Sequence, residues 1–126
     1  DEERNACYYS GYCGSYGCSS DAKGSSRAAL LSKALKTGHL TIIPNAKVFN
    51  LEEENHQVIA AQYYNQQGEE VDVNAKIFVI AAQATETSRL LLMSKSKNFP
   101  NGLANNNGQV GRNLIFSGGG SGSGEF

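Results

Sequence analysis

Apolar positions in this chain come in runs whose spacing changes from segment to segment, and the longest such stretch is Ala75–Ser94, AKIFVIAAQATETSRLLLMS. Ile77, Phe78, Val79 and Ile80 are β-branched or aromatic and unbroken by charge. That pattern predicts a central strand over Ile77–Ala81, covered on both faces as in a parallel sheet. Ala81 and Ala82 allow a tight turn, and Thr85 is the expected N-cap of a helix, with Glu86 where a carboxylate favours a helix start. Leu90, Leu91, Leu92 and Met93 supply the buried side of that helix. A strand, a tight turn and a helix start form the unit with which α/β proteins approach a nucleotide's phosphates, although an ordinary βα unit reads the same way.

Upstream, Ala28, Leu31, Ala34 and Leu35 fall at helical spacing and predict a helix over 27–37, capped by Ser25 or Ser26 and stopped by Gly38. Leu40–Pro44 and Lys47–Leu51 read as short strands, Glu52–His56 as a turn, Gln57–Asn65 as a strand. Gln66–Gly68 is the next turn and Glu70–Val73 the next strand, so 40–73 reads as an antiparallel meander flanking the Ile77 strand. His56, beside Glu52, Glu53 and Glu54, reads as part of a solvated hairpin tip rather than a ligand or catalyst. Ser96–Asn107 is an exposed loop, and Gly108–Phe116 is compact again. Residues 117–126, SGGGSGSGEF, form a flexible Gly/Ser tail, read either as a cloning-derived spacer or as native backbone.

At 126 residues the chain is at most one domain. A formal net charge of −1 gives no electrostatic case for nucleic acid or an anionic membrane. No apolar run nears the ~20 residues that span a bilayer. Asp1 stands where an initiator Met is usual, so the expectation is a piece of a longer protein. All three cysteines, Cys7, Cys13 and Cys18, lie in the Gly-, Ser- and Tyr-rich loop 7–26. One disulfide plus a free thiol, or three thiolates on a metal or iron–sulfur cluster, are the alternatives that this clustering leaves open.

Several stretches together resemble the glucose-methanol-choline (GMC) family of flavin oxidoreductases. Ala81, Ala82, Ala84, Glu86, Thr87, Arg89, Leu90, Leu91, Leu92 and Ser94 match a family segment of the form AAGAxETPRLLLxS, with Gln83 and Ser88 in place of its glycine and proline. CGSYGCSSDAKGSS resembles the family's GCxxGAKxS segment, LTIIPNAKVFNL a strand–turn–strand beside the flavin, and NFPNGLANNNGQVGRNL the FPNGLxNxSGxVGRNL stretch of bacterial GMC dehydrogenases. The four occur in the family's order, though its GRNLxDH pattern breaks at Phe116.

The resemblance implies an α/β flavoprotein fold, of which this chain is an α+β part. Residues 1–116 would form a partial FAD-binding domain: cysteine loop 7–26, helix 27–37, meander 40–73 and strand–turn–helix 76–94. It further implies an FAD-dependent oxidation of an alcohol or sugar, with Val48, Ala82, Gln83 and Ala84 beside the cofactor. No G-x-G-x-x-G fingerprint occurs, and neither His39 nor His56 matches the family's catalytic histidine in context, so no catalytic residue is assigned here. In some multi-subunit relatives three cysteines of the corresponding loop hold a three-iron (3Fe-4S) cluster that relays electrons to a cytochrome. By resemblance Cys7, Cys13 and Cys18 would be those ligands, and a periplasmic location would fit. The other readings of the chain are a small iron–sulfur electron-transfer module and an inactive folding fragment.

Overall fold

A computed structural model of the protein describes residues 4–13, 16–116, 118–120, 122 and 124. The chain divides into two units, Asp1–Pro44 and Asn45–Phe126. In the first, Arg27–Leu31 forms a turn of π-type helix that continues as α1, Ser32–Lys36. Ser25 Oγ accepts the Ala28 N–H at 3.2 Å, and Gly38 ends the helix at φ +73°, the left-handed stop that only glycine adopts without strain. The predicted strand Leu40–Pro44 is not formed: Ile42 and Ile43 are exposed, and the segment has no ladder partner among the described residues. Apolar, β-branched residues favour extended backbone, but a strand exists only where a second chain segment accepts its hydrogen bonds.

The second unit is built on an antiparallel sheet of order β1-β2-β3, with β1 Lys47–Glu54, β2 Gln57–Tyr64 and β3 Glu70–Asn74. The expected meander is therefore present, with β1 running three residues further than Leu51. The first hairpin closes on Asn55 and His56, at φ +51° and +64°. Two successive positive φ angles make the type I′ geometry whose twist matches the flanking strands. The second hairpin closes on Asn65, whose Oδ1 accepts the N–H groups of Gln67 and Glu69, both at 2.9 Å.

Helix α2, Ala84–Met93, packs across β1. Leu51, Leu90 and Leu103 form the core, with Val58, Ala61, Ile80, Leu91 and Phe99 packed against it. Ser94, only 2% exposed, ties helix to sheet: its hydroxyl donates to Leu90 O at 2.7 Å and accepts the Leu51 N–H at 3.0 Å. The free edge of β1 thereby finds a partner at the one point where it is buried.

The central strand expected over Ile77–Ala81 is not in the sheet. The segment is irregular, Ile77 and Val79 are 80% and 84% exposed, and Phe78 and Ile80 are half-buried. Alternate side chains therefore point inward, as in a strand, but only one of the two apolar faces is covered. The helix begins one residue before Thr85, and the N-cap is Gln83, whose Oε1 accepts the Thr85 N–H at 3.0 Å. Thr85 is inside the helix instead, its hydroxyl bonded to the same oxygen. An amide oxygen satisfies an open helix N–H as well as a hydroxyl does, and Gln83 reaches it by turning its side chain back. The Gly/Ser tail lies partly outside the described residues; those described in it are exposed.

Candidate functional site

Two of the four residues expected beside a cofactor come together. Val48, at the start of β1, and Ala82, in the turn before α2, line one groove of about 400 Å³. Its other walls include Leu51, Ala61, Ile80 and Leu90, so the side chains that line it are apolar. The sequence separates Val48 from Ala82 by more than thirty positions; α2 packing on β1 closes that gap. At Val48 the ladder with β2 is irregular, its register shifting between Val48 and Asn50. Such irregularities bend a strand and re-aim its groups, and they recur next to binding sites.

Gln83 and Ala84 lie differently. Gln83 holds φ +73° and ψ 155°, a region that is essentially glycine's. Strain of this kind costs about 1–3 kcal/mol and persists only where surroundings over-determine it; here the cap to Thr85 does part of that. Ala84 opens on a second cavity, of about 660 Å³, with Thr85, Ser88, Arg89, Arg112 and Asn113 among its walls. Arg89 is held by Glu86 one helical turn back, Nε to Oε2 at 2.8 Å. The turn 82–84 thus faces an apolar groove at Ala82 and a more polar cavity at Ala84.

A polar cluster that sequence reasoning missed closes the far end of the same unit. Glu53 accepts hydrogen bonds from the Ser96 hydroxyl, from Asn98 Nδ2 at 3.0 Å and from the His56 N–H at 2.5 Å. The Ser96 and Asn98 bonds, in that order, hold its carboxyl below the usual carboxylate range. The His56 ring packs edge-on against Phe99 at 5.9 Å. This is a structural clamp on loop 96–99, and His56 is at a hairpin tip as expected. Only the separation of Glu53 and Ser96 in sequence hid it.

In the first unit Cys7, Cys13 and Cys18 are free thiols that line one hollow of about 30 Å³. Among the described residues no three His, Cys, Asp or Glu side chains are arranged to hold a metal ion. The expected three-cysteine ligand set therefore does not fit an iron–sulfur cluster in this arrangement. No helix among the described residues is long and apolar enough to cross a membrane.

The GMC oxidoreductase family profile matches residues 1–116, and the chain belongs to that family. It is 40% identical over 84 residues to the fructose dehydrogenase large subunit of Gluconobacter japonicus, covering 66% of this chain and 15% of that protein. It is 42% identical over 72 residues to 2-methyl-1,2-propanediol dehydrogenase of Mycolicibacterium austroafricanum, covering 56% of this chain and 13% of that protein. Paromamine 6'-oxidase of Streptomyces fradiae is 29% identical over 115 residues, 90% of this chain and 21% of that protein. The chain thus spans about a fifth or less of the length of the curated relatives it matches.

Proposed function

We propose that this chain supplies the adenine-facing part of the flavin site in an FAD-dependent oxidoreductase that acts on the CH–OH group of an alcohol or sugar. The observation that carries the reading is the meeting of Val48 and Ala82 on one apolar groove. Its volume falls in the range of small-molecule sites, and its apolar side chains suit an aromatic ring. Family membership supports the cofactor, and the relatives' dehydrogenase and oxidase activities support the substrate class.

FAD, when bound, supplies the hydride-accepting chemistry; the chain's own residues bind and orient it. Val48, Leu51 and Ala82 would contact the ring, with small side chains at 81, 82 and 84 keeping the turn close. Gln83 holds the turn in a glycine-type conformation while its side chain stays folded on the helix, away from the groove. No residue of the chain is assigned a proton-transfer role. An iron–sulfur relay to a cytochrome is outside this reading, because the three thiols do not present a ligand set.

The test is to purify the protein expressed from its complete reading frame and record its flavin spectrum. Loss of flavin absorbance on anaerobic addition of fructose or a vicinal diol is the expected result. Protein without flavin, or flavin that no alcohol or sugar reduces, contradicts the reading. The 126-residue chain alone should bind FAD only weakly, since it carries no G-x-G-x-x-G loop for the pyrophosphate.

A further inference from the structure

Asparagine followed by glycine is open to cyclisation of the chain on itself, because glycine puts no side chain in the way of its own backbone nitrogen. The chain carries this pair at Asn101–Gly102 and again at Asn107–Gly108, in one loop after α2. Both asparagines are exposed. The two pairs are chemically identical, and what differs is the backbone that must turn for the reaction to occur.

Gly102 is buried under the end of α2, where a Cβ would stand 2.8 Å from Leu92 Cα. Its N–H donates to Phe99 O at 3.1 Å, and the Leu103 N–H donates to Leu91 O at 2.8 Å and to Ser94 O at 2.9 Å. The Asn101–Gly102 peptide therefore turns only when the loop lifts off the helix. Gly108 has nothing within 4 Å of the place a Cβ would take, and its N–H donates to Asn105 O at 3.1 Å across a tight turn. Asn107 Oδ1 accepts the Gln109 N–H at 3.3 Å. That bond folds the Asn107 side chain toward the backbone that follows it and draws electrons from the amide carbon.

We propose that Asn107 is a self-modification site, converted through a cyclic imide to an aspartyl or isoaspartyl residue, while the packing of loop 99–103 on α2 protects Asn101. The Gly108 N–H loses its proton to water, and the nitrogen attacks Asn107 Cγ. A C–N bond forms, the Cγ–Nδ2 bond breaks, and Nδ2 takes up a proton and leaves as ammonia. Water then opens the imide at either carbonyl, and nothing is oxidised or reduced. Opening at the backbone carbonyl leaves the chain running through Cγ, one carbon longer, and either product adds a negative charge. The added carbon falls inside the span that Asn105 closes, through its backbone oxygen to the Gly108 N–H and through its Oδ1 to the Val110 N–H at 3.1 Å.

The test holds the folded 126-residue chain in mildly alkaline buffer and follows both sites by peptide mass spectrometry, with isoaspartate-specific methylation as a second readout. Conversion at Asn107 should outrun that at Asn101 by about tenfold or more, because Asn101 reacts only while its loop is lifted off α2. In urea the two rates should converge. Gly108→Ala should slow conversion at Asn107 and leave the rate at Asn101 as it was, which a misfolded variant would not do. Equal rates in the folded chain, faster loss at Asn101, or a lag at Asn101 that persists in urea overturns the assignment. So does an Asn107 that stays intact in the folded chain and converts only in urea.

Discussion

The two halves of the stretch 76–94 behave oppositely although both are strongly apolar. From Ala84 to Ser94 the inward face is held, by Leu90 in the core, the Ser94 hydroxyl between helix and sheet, and Leu103 N–H on Leu91 O at 2.8 Å, although Met93, expected on the buried side, is 55% exposed. From 76 to 82 only the inward face is held, by Phe78 and Ile80 against the groove, while Ile77 and Val79 face solvent. A helix carries its own hydrogen bonds and needs only one face covered. A strand needs neighbours for its backbone as well. Apolar sequence is the same signal in both cases, and the outcome depends on what each element requires from elsewhere.

The comparison breaks most severely at Gly102, which sits under the helix end. A Cβ there would lie 2.8 Å from Leu92 Cα and 2.9 Å from Leu91 O, on backbone at φ +106°. Neither obstacle is the end of a flexible side chain. Gly102→Ala should therefore destabilise the second unit by about 3 kcal/mol or more, measured as a lower urea midpoint. An unchanged midpoint would mean that the loop is not packed on α2.

Substitutions at 79 and 80 sharpen the contrast between the segment's faces. Ile80→Asp places a charge against the core cluster and should cost about 2 kcal/mol, whereas Val79→Asp should stay within about 0.5 kcal/mol. Equal costs at the two positions would show that the outer face is covered in the isolated chain. On the helix side, Ser94→Ala leaves the Leu51 N–H buried without its acceptor and should cost about 1–3 kcal/mol. Amide exchange at Leu51 would rise with it.

How much of this was legible follows the same division. The meander was readable because period-two patterns and the turn residues Asn55, His56 and Gly68 are local signals. The helix was readable from its leucines, but its cap was not, since glutamine at φ +73° is not a recognised start signal. Leu40–Pro44 and Ile77–Ala81 misled because β-branched runs report a preference for extended backbone and say nothing of partners. At the candidate site, Val48 and Ala82 were singled out through family resemblance, and the groove that both line required the α2–β1 packing. The Glu53 clamp joins residues more than forty positions apart, with no sequence pattern to mark it.

The smallest expected effect is at that clamp. Hydrogen bonds to the Glu53 carboxylate depress its pKa from the ordinary 4.5 in the folded state. Its stabilisation is thus fully present above that ordinary value and disappears as pH falls through the lower, folded-state one. Glu53→Gln should slightly lower the thermal midpoint at neutral pH and leave it unchanged in acid strong enough to protonate the folded-state carboxyl. A difference that persists undiminished in acid would assign the effect to packing.

Hydrogen exchange on the complete protein, with and without FAD, tests the placement of the cofactor most directly. Slower exchange on binding at residues 47–49 and 82–84, with β3 at 70–74 unchanged, is the result expected from a ring seated between Val48 and Ala82. FAD bound with no protection at either segment would contradict it.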